Sequence, residues 1–397
     1  LEEFDVVVAG YHKSNAHPWK DYAFANKELV WLQEIARNSK VILTSFASPY
    51  SLNAINTFTN IETVVVAYQN SNLSQQITAQ ILFGALGAKG KLPVSITDQF
   101  EVGSGIETVA IDRLGYSIPE DVGLDSNTLK GIDSVMHVVV DKKMAPGGQV
   151  LVARRGKVVY HKTFGTHTYR NEQPVQKSDL YDLASMTKIL ASLPLIMELE
   201  EQGTIGLDST LGDLLPELEE SNKGDLALRE VFSHRARLKA WIPFYLKTLD
   251  SITSEPSSEY YRKNPSDDFK VQVANDLYLR TDYTDSIIDI ITNAEQRTRS
   301  GYRYSDLSFY LLRKYMERHY GKSLNELTHN RFYAPLGANS LTYLPLKKFE
   351  ADRIVPSEDD QYFRYQILRG HVHDMGAAME GGIGGHAGLF GNANDVA

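Results

Sequence analysis

Ser185 is the only serine in the 397-residue chain with a lysine three positions later, in the run Ser185-Met186-Thr187-Lys188. On the first turn of a helix, residues i and i+3 share a face, so the Lys188 side chain can reach the Ser185 hydroxyl. A serine becomes a nucleophile at neutral pH only beside a group that relieves it of its proton, and a partly desolvated lysine is one such group. A helix N-terminus also turns backbone N–H groups toward a developing oxyanion. The same spacing describes an N-capping serine beside a surface lysine. What favours chemistry is the context: Ile189, Leu190, Leu193, Ile196 and Leu199 give the stretch Ala184–Gln202 a broad apolar face, which predicts a buried helix whose polar pair needs a reason.

A proton relay needs a second polar group from elsewhere, and Tyr304-Ser305-Asp306 is the candidate. Tyr-x-Asn or Tyr-x-Asp also occurs at Tyr68, Tyr169 and Tyr283, so the pattern alone is not specific. Tyr304 stands out because it follows Gly301 in a short loop and opens the amphipathic stretch Leu307–His319. The plain alternative is a capping Ser or Asp beside a packed tyrosine. His371-Val372-His373-Asp374 has metal-ligand residue types, but no third ligand pattern accompanies it, so a structural or cleft-lining role is expected and no metal or other cofactor. Trp241, Phe244 and Tyr245 fit either a cleft wall or aromatic packing.

The elements that must position these residues fall into two patterns. The first hundred residues alternate β-branched runs with helical ones: Phe4–Ala9, Glu28–Arg37, Val41–Phe46, Ile61–Tyr68, Gln75–Leu86 and Leu92–Ile96. That βαβαβαβ order predicts a mainly parallel sheet covered by helices. Residues 98–118, with Gly103, Gly105 and Gly115 among scattered polar residues, read as a linker. From there a helix over Leu129–Val140 is followed by strands Gln149–Arg154 and Val158–Phe164 around the turn Arg155-Gly156-Lys157. Helical segments are expected near Leu226–Phe232, Val271–Tyr278 and Ser305–Tyr320, with Leu249–Asp268 as a surface excursion.

Composition narrows the function classes. A net charge of -9, with 41 Lys and Arg against 50 Asp and Glu, is a poor footprint for phosphate backbones, so no nucleic-acid partner is expected. The absence of cysteine removes disulfides, Cys-ligated zinc and thiol nucleophiles together. The longest apolar runs fall far short of the ~20 residues a membrane-spanning helix needs. The chain opens on Leu1 and stops where a helix is starting, and is therefore expected to be a fragment.

Residues 119–397 resemble the serine β-lactamase and penicillin-recognising family, which includes class C β-lactamases, DD-peptidases and related esterases. The resemblance rests, in family order, on the hairpin Ala145–Tyr160, on Ala184-Ser185-Met186-Thr187-Lys188, on Leu228-Arg229-Glu230-Val231-Phe232-Ser233-His234, on Tyr304-Ser305-Asp306 and on Gly385-His386-Ala387-Gly388-Leu389-Phe390. It implies Ser185 as the acylated nucleophile, Lys188 as its activating partner and Tyr304 as the acid/base, with Asp306 on the substrate side where the family more often has asparagine. The family's third motif, Lys-Thr-Gly or His-x-Gly, is matched by letters at His386-Ala387-Gly388, a candidate substrate-binding run. Its surroundings look instead like the Gly-rich turn that the family places before a later helix. Arg235-Ala236-Arg237 also replaces the usual Thr-Ser-Gly-like turn.

Residues 1–97 resemble the C-terminal α/β sandwich domain of glycoside hydrolase family 3, through Ser45–Tyr50, Val66-Ala67-Tyr68, Ile81-Leu82-Phe83-Gly84 and Gly87–Val94. That resemblance implies a family 3 barrel upstream in the parent protein. The expected architecture is thus α/β: a parallel-sheet α/β sandwich, a linker, and a β-lactamase-like α/β plus all-α domain. The expected function is an exported, cell-envelope serine hydrolase acting on an amide or ester in peptidoglycan fragments. The alternative is an accessory or non-catalytic module of a family 3 β-N-acetylhexosaminidase. Oligomeric state is left open.

Overall fold

The computed structural model describes residues 4–14, 16, 22–96, 99–110, 114–170 and 173–397. The chain divides into two compact units, Leu1–Gly123 with Ala153–Val159, and Leu124–Val152 with Tyr160–Ala397.

In the first unit, strands β1 (Val6–His12), β2 (Lys40–Phe46) and β3 (Ile61–Val66) form a parallel sheet in that order, with Val6 opposite Lys40 and Val41 opposite Ile61. Helices α1 (Asn26–Asn38) and α2 (Asn72–Leu82) punctuate them, as parallel pairing requires of its crossovers. Leu32, Ile35 and Ala36 of α1 are buried in one cluster with Val41 and Leu43 of β2. Ser71 caps α2 by accepting the Ser74 N–H.

The expected strand Leu92–Ile96 is absent. Pro93 removes a ladder donor from its centre, and Leu92 instead exchanges hydrogen bonds with the segment that follows: its N–H donates to Ser104 O and its O accepts from Gly103, both at 2.8 Å. Ile96 bridges to Phe100. Thr108 N–H likewise donates to Ala88 O, so described residues in the 98–118 stretch fold back on their own unit, and residues 97–98 and 111–113 lie outside the described residues. β4 (Gly115–Tyr116) pairs in parallel with Lys157 and Val158.

The second unit opens with α3 (Ser126–Asp141); the strands β5 (Gly147–Arg154) and β6 (Lys157–Gly165) follow, their turn end, Ala153–Val159, belonging to the first unit. Arg155 and Gly156 both have positive φ, 52° and 72°, which is the two-residue hairpin turn whose twist matches its strands. β7 (Tyr181–Asp182), α4 (Leu193–Glu201), α5 (Leu211–Leu214) and α6 (Leu228–Phe232) follow. Beyond them lie β8 (Tyr261–Arg262), β9 (Val271–Ala274), β10 (Leu277–Leu279), α7 (Tyr283–Asn293) and α8 (Leu307–Tyr320). The stretch Val271–Tyr278, expected to be helical, is the β9–β10 hairpin. Val271 and Val273 alternate with polar Gln272 in the two-residue period of a strand, and Asp276 turns the chain at φ 49°.

The expected surface excursion at Leu249–Asp268 carries a buried residue, Tyr261, whose hydroxyl pairs with Thr248 Oγ1 at 2.7 Å. Leu195 and Leu199 of α4, Ile287 and Ile291 of α7, and Leu311, Leu312 and Met316 of α8 share one core. The architecture is mixed α/β, with a parallel sheet and packed helices. No helix among the described residues is long and apolar enough to cross a membrane.

Candidate active site

The run expected to be one long helix from Ala184 is built in three pieces: a 3-10 turn at Ala184–Met186, a π turn at Lys188–Ser192, and α4. Pro194 explains the break. It has no N–H to donate to Leu190 O, so Leu193 N–H reaches back to Lys188 O in the wider π spacing, and the Tyr333 hydroxyl donates to Leu190 O at 2.9 Å. Ala184, just before the serine, is held at φ 46°, a left-handed conformation that an alanine adopts only under constraint. The constraint is visible. Asp182 Oδ1 accepts the Ala184 N–H at 2.8 Å, Thr187 Oγ1 donates to Ala184 O at 2.7 Å, and Leu389 N–H donates to Thr187 Oγ1 at 3.2 Å.

This scaffold leaves Ser185 exposed and buries Lys188 beneath it. Lys188 Nζ donates to Ser185 Oγ at 2.9 Å and stands 2.7 Å from Asp306 Oδ1. His386 O is a third neighbour at 3.4 Å. The ammonium also lies 4.9 Å from the centre of the Tyr304 ring and 5.4 Å from that of Phe309. A hydroxyl at the surface, held by an enclosed cation that is itself tied to a carboxylate, is placed to attack a carbonyl with its developing charge stabilised.

Four of the five residues singled out by sequence thus meet around one nitrogen through side chains: Ser185, Lys188, Tyr304 and Asp306. Tyr304 contributes its ring face, and among the described residues its hydroxyl has no hydrogen-bond partner. His386 meets the group only through its carbonyl. Its imidazole is buried, stacked 4.3 Å from the Tyr310 ring, with Nε2 2.9 Å from Asp374 Oδ1. His386, expected to bind substrate, lies within the glycine-rich run from Gly381 to Gly388, which has three positive-φ glycines and precedes the short strand Leu389–Gly391 and the helix Ala393–Val396. Burial pushes the His386 imidazole down, but Asp374 more than offsets this and its proton affinity is raised.

His371, His373 and Asp374 go to separate partners. His371 Nε2 meets Asn275 Oδ1 at 3.1 Å, His373 binds Asp182 through its N–H and ring, and Asp374 takes His386. Among the described residues no group of three or more His, Cys, Asp or Glu converges as metal ligands do. Trp241, Phe244 and Tyr245 border a cavity whose wall also includes Asp306, Tyr310 and Asp374.

Sequence reasoning passed over Asp182 and His234. Asp182 carried a readable signal, since an Asp two residues before a needed N–H is an Asx turn. His234 stands at φ 56° with its ring 4.6 Å from that of Tyr304. Its signal was only its place at the end of the Leu228–His234 run.

Known proteins give this geometry a family. A family model described as Beta-lactamase matches residues 132–397, more than half of the chain. The chain is 26% identical over 280 residues to a Bacillus subtilis (strain 168) protein named N-acetylmuramyl-L-alanine amidase, covering 64% of this chain and 57% of that protein. It is 27% identical over 311 residues to an Escherichia coli (strain K12) protein named "Putative D-alanyl-D-alanine carboxypeptidase", covering 72% and 65%. A solved class C beta lactamase from Rhodobacter sphaeroides is 18% identical at a TM-score of 0.46, over 67% of this chain and 63% of that one. The chain spans 57% and 65% of the two curated relatives' own lengths. By the match over residues 132–397, the chain belongs to the Beta-lactamase family, a family of serine hydrolases.

Proposed function

We propose that this chain is a serine hydrolase that cleaves an amide or ester of peptidoglycan fragments through an acyl-enzyme on Ser185. The observation that carries the proposal is the 2.9 Å contact between Ser185 Oγ and the enclosed Lys188 Nζ. Ser185 Oγ bonds to the substrate carbonyl carbon, the bond from that carbon to the amine or alcohol breaks, and the hydroxyl proton leaves with the departing group. In this reading Lys188 receives that proton as the neutral amine, Tyr304, which meets Nζ by its ring face in the resting site, hands it on through its hydroxyl, and Asp306 pairs with the lysine. Water then repeats the exchange and frees the enzyme.

The substrate class is supported by the names of the two curated relatives, "N-acetylmuramyl-L-alanine amidase" and "Putative D-alanyl-D-alanine carboxypeptidase", and it carries with it a cell-envelope location. In the same reading the first unit is a family 3 glycosidase-type α/β sandwich serving as a scaffold in a parent protein with an upstream barrel. The parallel β1–β2–β3 sheet with α1 and α2 supports that part. Asp306 and the buried His386 imidazole favour no separate activity.

Intact-mass analysis after incubation with a fluorophosphonate and, separately, with a penicillin tests the proposal. One adduct per chain is expected, and Ser185→Ala is expected to abolish it, a loss of at least about a thousandfold in labelling rate. A folded protein that takes up neither probe would refute the reading.

A further inference from the structure

We propose that His234, neutral and protonated on Nε2, is the positioning residue that holds Tyr304 against the Lys188 ammonium, and that protonating His234 releases Tyr304 and slows acylation of Ser185. The effect on acylation rests on the serine hydrolase reading, whereas the positioning stands on geometry alone.

Two hydrogen bonds from His234 bracket Tyr304. Its backbone O accepts the Arg303 N–H at 2.8 Å, and its Nδ1 meets the Ser305 N–H at 3.3 Å. A backbone N–H can only donate, so Nδ1 must supply a lone pair, and the neutral ring carries its proton on Nε2. Between these two bonds the imidazole lies 4.6 Å from the Tyr304 ring, tilted by 44°, with Tyr302 edge-on at 6.0 Å. The far end of the loop is fixed independently, since Ser305 Oγ donates to Lys239 O at 2.7 Å and Asp306 N–H to Ala240 O at 2.9 Å. Loss of the Nδ1 bond therefore loosens the Tyr304–Ser305 peptide, while the Arg303 N–H on His234 O, the Ser305 hydroxyl and the Asp306 N–H keep their partners.

The groups facing this imidazole are Tyr302, Tyr304, Lys188 and Asp306. Burial and then the Lys188 cation hold His234 below the ordinary histidine range, with Asp306 pulling the other way. A proton on Nδ1 would set N–H against the Ser305 N–H and add a second cation beside Lys188. Both consequences break the arrangement that presents the Tyr304 ring at 4.9 Å from Lys188 Nζ. The neutral ring thus secures the site, and acid undoes it.

The test combines two readouts on the purified chain. In protein carrying 15N-histidine, 15N-serine and ring-13C tyrosine, titrated over about pH 4–8, the Ser305 amide and Tyr304 ring signals are expected to follow the His234 titration, with Nδ1 as the unprotonated nitrogen of the neutral ring. The fluorophosphonate labelling rate is expected to fall on the acid side with the same midpoint. His234→Asn places an acceptor oxygen where Nδ1 stood and cannot titrate, so its acid limb is expected to vanish. His234→Leu, with no acceptor, is expected to label about tenfold more slowly at every pH. Ser305 and Tyr304 signals indifferent to the His234 titration, or an acid limb unchanged in His234→Asn, would overturn the proposal. If those signals move together in a protein that never labels, the positioning is upheld and the hydrolase reading fails.

Discussion

The second unit buries two lysines, and they do different things. Lys223 is 1% exposed and Lys188 5%. Lys223 Nζ donates to Thr292 O at 2.9 Å, to Ala294 O at 2.7 Å and to Asn222 Oδ1 at 2.6 Å, three neutral acceptors for three protons. Those carbonyls lie at the C-terminal end of α7, where a cation meets the helix dipole and the unpaired last carbonyls. No carboxylate comes within ion-pair distance of it among the described residues, and burial lowers its proton affinity. Lys188 instead faces a carboxylate, a backbone carbonyl at longer range and an exposed hydroxyl. What separates a fastening lysine from a chemical one here is not burial, which they share, but whether one of the three protons points at a group that substrate can reach.

The sharpest way to break that comparison is to remove each amine in turn. Lys188→Met is expected to cut fluorophosphonate labelling by about a thousandfold or more, since it takes away the one side-chain donor that Ser185 Oγ has among the described residues. Lys223→Met is expected to leave labelling of the folded protein within about twofold while lowering unfolding stability by about 1–3 kcal/mol, because Thr292 O loses its side-chain donor and Ala294 O keeps only the longer bond from Asn222 Nδ2 at 3.4 Å. Urea titration and labelling rate measured on the same samples separate the two. Equal losses of labelling in both variants would erase the distinction.

That contrast also shows what the sequence could and could not disclose. Ser185 and Lys188 were legible because i and i+3 contact is local, and Tyr304 with Asp306 because a glycine loop opening a helix limits where a side chain can stand. The three-piece path through Ala184–Glu201 was not, although Pro194 announced it, because a π turn depends on the distant Tyr333 hydroxyl taking up Leu190 O. The burial of His386 was hidden for a related reason. Its enclosure depends on Asp374 and Tyr310, and Gly385 is needed there because a Cβ would stand 2.3 Å from Phe309 O. The β9–β10 hairpin differs from the expected helix because so short an apolar run satisfies both periods, and only the turn at Asn275-Asp276 distinguishes them. The parallel sheet β1–β2–β3 came through because its strands are continuous apolar runs, whereas Leu92–Ile96 failed on a single proline.

A second, smaller effect sharpens the account of what surrounds Lys188. His386 is raised above its ordinary 6.5, burial being outweighed by Asp374. Asp374 is well below its ordinary 3.8, because the His386 charge and hydrogen bond and the Ala377 N–H outweigh burial. For the histidine, the raised folded value means stabilisation that is complete below 6.5 and lost as pH rises through that raised value. For the aspartate, the depressed folded value means stabilisation that is complete above 3.8 and lost as pH falls through the lower one. The pair therefore contributes most between 3.8 and 6.5. The difference in thermal midpoint between the parent and Asp374→Asn is expected to be widest near about pH 5 and to shrink in alkali. A gap that stays level from about pH 5 to above about pH 8 would show that the imidazole in the pair is neutral.

The least disruptive test asks which of Lys188's neighbours holds the amine. Ser192, at the end of the π turn that begins with Lys188, is fully buried, and its Oγ donates to Gly385 O at 2.7 Å, next to the His386 carbonyl that touches Lys188. Ser192→Ala leaves Gly385 O without its side-chain donor and is expected to cost about 1 kcal/mol, a fall of a few degrees in thermal midpoint. Labelling should change by less than about threefold, because the 2.7 Å contact with Asp306 fixes Nζ independently of the glycine turn, whose carbonyl stands off at 3.4 Å. A loss of labelling approaching that of Lys188→Met would reverse this order. The turn at Gly385 and His386 would then set the reach of the amine toward Ser185, and Asp306 would only balance its charge.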